Sequence, residues 1–267
     1  MLKKLSIAAV AAVGVSGAAN AEYLYGFGGM YVDHQSWDHG LNEVNNPKGR
    51  NQYVIGIEGG AGFTWGELYG FYDYENIGNA PDQRAAAAKA TAHVYLGDTG
   101  ASIYAQVYDF GSDMQSEQNR VLGLGYTKLG GDNWFFKPWI GIHQITVNDG
   151  FAKCEDQKDP RALCPGGEYD YSKHNGSNGY MAGWTARYAW NMFGQDFSVV
   201  NWNEIEFDRN ETLAKAQGGK NAWNGGAMLS WHITDNLYTG VTYRYFRNKL
   251  GHEGYGDLFI YRIGYNF

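Results

Sequence analysis

Proline and cysteine are both scarce in this chain of 267 residues, at five and two. Few prolines leave long stretches free to extend without a break. After residue 19 there is no apolar run approaching the roughly 20 residues that a membrane-spanning helix needs, so a helical membrane protein is excluded. Basic residues are also few, 21 Lys and Arg against 28 Asp and Glu, for a formal charge of −7. No basic stripe exists to neutralise phosphates, which argues against nucleic acid as a partner. Rings and glycines are plentiful instead: 21 Tyr, 13 Phe, 9 Trp and 38 Gly, with a mean hydropathy of −0.47. That mixture fits extended segments with one wet and one apolar face better than a leucine-rich soluble domain.

The stretch 257–267 shows the pattern most clearly. Phe259, Tyr261, Ile263, Tyr265 and Phe267 fall on one face of a strand, and Ile260, Arg262, Gly264 and Asn266 on the other. A transmembrane barrel strand needs this alternation, with hydrocarbon outside and water inside. Phe267 also has the character of the terminal signal read by the barrel-assembly machinery of the bacterial outer membrane, an expected partner. At the other end, Lys3 and Lys4 precede the uncharged stretch 5–19, and Ala19-Asn20-Ala21 has the small-x-small form of a cleavage site. Residues 1–21 are therefore expected to be a secretory signal peptide, leaving 22–267 as a single barrel domain.

Twelve segments alternate with period two or tolerate it: 22–33, 52–62, 67–76, 89–96, 101–110, 120–129, 134–149, 179–192, 197–209, 221–233, 237–248 and 257–267. The connectors alternate strictly between short ones (63–66, 97–100, 130–133, 193–196, 234–236) and long polar ones (34–51, 77–88, 111–119, 150–178, 210–220, 249–256). The predicted fold class is all-β, a transmembrane antiparallel up-and-down β-barrel of 12 strands. Short turns face the periplasm and long loops face outward, in the outer membrane of a Gram-negative bacterium among its lipid and lipopolysaccharide. Segment 197–209 leaves its inward face undecided. Arg84-Ala85-Ala86-Ala87-Ala88-Lys89 reads as low-complexity loop or a helical turn. Trp65, Trp134, Phe135, Trp190, Phe193, Phe197, Trp231, Tyr238 and Phe267 are expected near the periplasmic rim as an aromatic girdle.

Cys154 and Cys164 share one loop rich in charge, Gly and Pro. Export implies an oxidising compartment, so a disulfide closing that loop is expected. A metal pair is the weaker reading, because no His stands at ligand spacing. No cofactor and no metal site is read from the chain.

Function is sought on the inward faces. On 67–76, Glu67, Tyr69, Phe71, Asp73 and Glu75 share the inward parity, so acids interleave with rings. The same parity turns Lys89, His93, Tyr95, Tyr104, Gln106, Tyr108, Lys137, Trp139, His143, Thr185, Arg187, Asn224, Thr242, Arg244 and Arg262 inward. Both charge signs occur, which argues against a simple ion-selective ring and for a neutral solute with donors and acceptors on its rim. Tyr69, Phe71, Asp73, Glu75, His93, Tyr104, Arg187 and Arg244 are the candidate solute-binding residues, and a cross-lumen pair such as Arg187 with Glu75 is conceivable. Each charge also has the plainer reading of a structural ion pair. No catalytic residue is assigned. His174 and Ser177 echo an outer-membrane phospholipase, but the spacing is His-x-x-Ser in a Gly-Asn-rich loop that offers no fixed base. Gly26-Phe27-Gly28-Gly29 and Gly123-Leu124-Gly125 lie in strands with no helix following, so the dinucleotide fingerprint fails.

Four stretches carry a resemblance: Glu67-Leu68-Tyr69-Gly70-Phe71-Tyr72-Asp73, Asn221-Ala222-Trp223-Asn224-Gly225-Gly226-Ala227-Met228, Lys137-Pro138, and Gly264-Tyr265-Asn266-Phe267. In these the chain resembles the Tsx family of nucleoside-specific outer-membrane channels, in particular the Vibrio-type branch called outer membrane protein K. The resemblance implies a monomeric twelve-stranded barrel that is not an enzyme and passes nucleosides, or similar ring solutes, down a gradient. It also implies that long external loops can serve as phage or colicin receptors, the alternative role for a barrel with a plugged lumen. Only Tyr69, Phe71 and Asp73 sit in a matching family motif. The segment 89–96 lacks the Pro and Arg expected there, and the Cys154–Cys164 loop is a further departure.

Overall fold

The computed structural model describes residues 21–41, 50–113, 115–148 and 173–267. Cys154 and Cys164, with the disulfide expected between them, and residues 1–20 with the expected signal peptide lie outside the described residues. Among the described residues there are thirteen strands: β1 Tyr23–Ser36, β2 Gln52–Phe63, β3 Gly66–Glu75, β4 Ala85–Tyr95, β5 Ala101–Ser112, β6 Ser116–Tyr126, β7 Leu129–Gly131, β8 Trp134–Asn148, β9 Lys173–Met192, β10 Gln195–Phe207, β11 Ala222–His232, β12 Leu237–Lys249 and β13 His252–Asn266. Pairing is antiparallel all the way round. β1 meets β13, and β6 meets β8, so the sheet closes on itself. β7 pairs only with the first residues of β8 and stays outside the ring, which leaves a closed barrel of twelve strands.

The expected alternation of turns holds only in part: the connectors read as long at 111–119 and 249–256 shrink to 113–115 and 250–251, because the flanking strands extend into them. The β9–β10 hairpin is a two-residue turn: Phe193 and Gly194 both take positive φ, 56° and 73°, between the paired Met192 and Gln195, as Leu250 and Gly251 do between Lys249 and His252. Two left-handed residues in a two-residue loop match the twist of the flanking strands. The long connectors lie at the opposite rim. One carries the helix α1, Glu211–Ala216, whose N-terminus is capped by Asn210 accepting from the Thr212 N–H at 2.9 Å.

Outward positions on the strands are apolar and exposed. Ile57, Leu124, Ile140, Leu229 and Ile263 are 52–64% exposed although each sits inside a strand. Such a continuous apolar belt has no place in water and needs lipid around it. Among the described residues no helix is long and apolar enough to span a membrane.

Three expectations are corrected. The alanine run is not loop: Ala85 opens β4, pairing with Glu75 and Ser112. Four identical residues carry no period, so only the neighbouring strands reveal their faces. β9 likewise begins at Lys173, well inside the stretch read as loop. In the girdle, Phe135 and Tyr238 turn inward: Phe135 lines the lumen, and Tyr238 is 5% exposed against Gly264. Trp65, Trp134, Phe193, Trp231 and Phe267 remain exposed near the short-turn rim.

Candidate functional site

The lumen is a single cavity of about 1790 Å³, lined by residues of both rims, from Tyr25, Asn266 and Phe267 at one end to Arg50, Asp113 and Leu250 at the other. It is off-centre, because one side of the barrel is filled. On β5, β6, β8 and β9 the buried residues Tyr104, Val121, Trp139 and Met181 pack together, with Tyr104 stacked on Trp139 at 4.4 Å between ring centres. Nearer the long-loop rim, Leu213 of α1 drops onto Ile145 and Val147. Between these layers His143 is wholly buried, held by Asn119 at 2.8 Å and Asn178 at 3.3 Å.

Ion pairs join inward side chains at three levels. Lys137 of β8 reaches Glu67 of β3 at 2.6 Å, joined by the hydroxyls of Tyr25 and Tyr95. Lys89 of β4 pairs with Glu204 of β10, whose carboxylate also accepts from Gln106 at 2.9 Å. Lys249 of β12 pairs with Glu206 of β10 and lies 3.7 Å from Glu117 of β6. Glu206 also meets Arg209 at 3.0 Å. Each carboxylate removed from bulk water thus has a cation and further donors, the condition for holding charge in a low-dielectric wall.

The open side lies between β1–β4 and β10–β13. Arg262 forks onto Asp33 with two contacts of 2.7 Å, reaches Glu58 at 3.2 Å, and lies over the Tyr31 ring at 3.4 Å. Tyr31 in turn donates to Asp73 at 2.6 Å, and Tyr69 donates to Glu58 at 2.8 Å. The Tyr31 ring occupies the space where a side chain at Gly56 would stand, so only glycine fits there. Trp202 projects from β10 with Arg244 at 5.8 Å and Lys89 at 6.0 Å from its ring. Opposite it on β3 are Phe71, Asp73 and Glu75; beside them on β4, Ala85 and Ala87 keep the wall low.

All eight candidate residues, Tyr69, Phe71, Asp73, Glu75, His93, Tyr104, Arg187 and Arg244, line the cavity. His93 and Tyr104 are the most enclosed of them: they are 7% and 3% exposed, and His93 is bonded to Ser102 at 2.8 Å. Arg187 makes no ion pair among the described residues, so its suggested partnership with Glu75 is not formed. His174 and Ser177 lie on opposite faces of β9, as their registers with Val147 and Gln144 show, and form no couple.

Sequence reasoning missed Trp202, Glu204 and the Tyr31–Asp33–Glu58 group. For β10 the reason is visible. Asn201 and Asn203 face outward, breaking the alternation. Their amides are satisfied there by the Trp184 and Trp223 indoles, at 2.9 and 2.7 Å, and by the Tyr245 hydroxyl at 2.9 Å. The pairing of Asn203 with outward Trp184 would have resolved the parity, but only once the register is known.

A closed barrel with an apolar belt and a lined passage is the architecture of an outer-membrane pore. Residues 166–267 match the family model of Tsx, the nucleoside-specific channel-forming protein. Two of the four motif stretches, 221–228 and 264–267, fall inside that match. Among solved structures, the NanC porin is 13% identical, with 90% of this chain and 98% of that chain covered and a TM-score of 0.47. The outer-membrane channel DcaP of Acinetobacter baumannii is 9% identical, covering 94% and 98%, at 0.38. The β domain of the Bordetella autotransporter Brka is 12% identical, covering 91% and 98%, at 0.36. The chain is an outer-membrane channel of a Gram-negative bacterium.

Proposed function

We propose that this channel facilitates diffusion of nucleosides or similar small polar ring solutes. The observation that carries the reading is the composition of the open side. Trp202, Phe71 and Tyr69 offer ring surfaces there, and Asp73, Glu75, Asn224 and Arg244 offer acceptors and donors. A nucleobase stacks on the rings, its amino groups donate to the carboxylates, and ribose hydroxyls replace part of the lost hydration. Contacts of this kind are weak enough singly to release the solute onward. The name of the matching family model supports the same substrate class. A cavity lined by residues of both rims favours passage over the receptor-only barrel with a plugged lumen.

The test is single-channel current across a planar bilayer. Adenosine and uridine should interrupt the current at concentrations where sugars of similar size do not. Trp202→Ala should weaken that block about tenfold, since stacking of one base on an aromatic side chain contributes ~1–3 kcal/mol. Absence of block by any nucleoside refutes the specificity.

A further inference from the structure

Once the ion pairs are drawn, several lumenal charges stand outside them. Among the described residues Asp73 and Glu75 on β3 form no salt bridge; they accept from the Tyr31 hydroxyl at 2.6 Å and the Gln52 amide at 3.4 Å, and Arg50 and Arg262 line the same cavity. On the facing wall Arg244 makes no ion pair among the described residues. Its Nε is buried without a hydrogen-bond partner, and among the described residues its one hydrogen bond is to Asn224 Oδ1 at 3.4 Å. Glu75 and Arg244 both line the cavity and no salt bridge joins them, so a gap separates their charged atoms. The methyl groups of Ala85 and Ala87 leave that gap open on the β4 side. The Trp202 ring flanks it at 5.8 Å from the guanidinium, and Phe71 shares the inward face with the two acids.

This is an acid wall, an unsatisfied guanidinium and an aromatic face around one opening. A neutral solute meets each with an ordinary hydrogen bond. A solute carrying an ammonium, a carboxylate and a ring meets all three with its strongest interactions: ammonium to Asp73 and Glu75, carboxylate to the Arg244 fork, ring to Trp202. We propose that this opening is a binding site for aromatic α-amino acids in their zwitterionic form. The proposal needs the barrel to conduct but does not need it to select nucleosides.

Three probes separate the charges: L-phenylalanine, N-acetyl-L-phenylalanine with only the carboxylate, and L-phenylalaninamide with only the ammonium. The full barrel is placed in a planar bilayer at about pH 6, where the amide's amine is protonated. Phenylalanine should block about tenfold more strongly than either single-charge probe, the effect of one charge-assisted hydrogen bond. Arg244→Gln should lower phenylalanine to the level of phenylalaninamide, and Asp73→Asn with Glu75→Gln should lower it to the level of the N-acetyl probe. Equal block by the three probes on the unaltered barrel overturns the proposal, as does an Arg244→Gln channel that keeps the preference. The comparison on the unaltered barrel stands even where a variant fails to fold. Adenosine in the same membranes reports separately: if it blocks while phenylalanine shows no preference, only the amino-acid site falls. If neither blocks a conducting barrel, both readings fall.

Discussion

At the scale of single residues, Arg262 shows why parity is only half of an assignment. Its inward face is evident from the alternation in 257–267. Its partners are not, because Asp33, Glu58 and Tyr31 are distant in sequence and reach it only when β1 and β2 lie beside β13. Arg262→Ala leaves the Asp33 carboxylate, 3% exposed, without a counter-charge. The expected loss is ~3–5 kcal/mol, read as earlier unfolding in urea when the barrel is held in lipid vesicles. Arg262→Lys should recover part of it, since the charge returns without the two-pronged geometry. Tyr69, Phe71 and Asp73 were legible as lumen residues from the interleaving of rings and acids. Their engagement with Glu58 and Tyr31 was not.

At the scale of strands, the register converts local alternation into bridges across the lumen. β4 and β10 are far apart around the wall, yet Lys89 and Glu204 meet because the filled side leaves them little width to span. Removing the cation exposes an unpaired carboxylate at the waist of the passage. Lys89→Ala is therefore expected to raise the cation-over-anion permeability ratio on the order of twofold, measured as a shifted reversal potential in a salt gradient. No shift would mean that the brace lies off the ion path. Strand ends were the least readable feature of the chain. β4 starts in a run of alanines with no period, and β9 and β13 extend into sequence whose glycines and polar residues look like loop. Backbone pairing extends these strands where side-chain pattern gives no sign of it.

For the whole molecule, the governing fact is that the wall separates two solvents. Ile57, outward and 53% exposed, and Ala87, inward and 3% exposed, test it as a pair. Ile57→Arg should cost ~2–4 kcal/mol of barrel stability with little change in conductance. Ala87→Arg should instead lower conductance, because the new side chain enters the passage. Failure of this contrast in vesicle unfolding and bilayer current would reverse the assignment of inside and outside. The twelve-strand wall and its belt follow from the sequence alone, because hydrocarbon and water impose a two-residue period that most of the strands display. Which lumenal groups meet, which half is filled and where the opening runs belong to the tertiary structure. Those depend on the shear between strands and on side chains reaching across the barrel, and no local period records either.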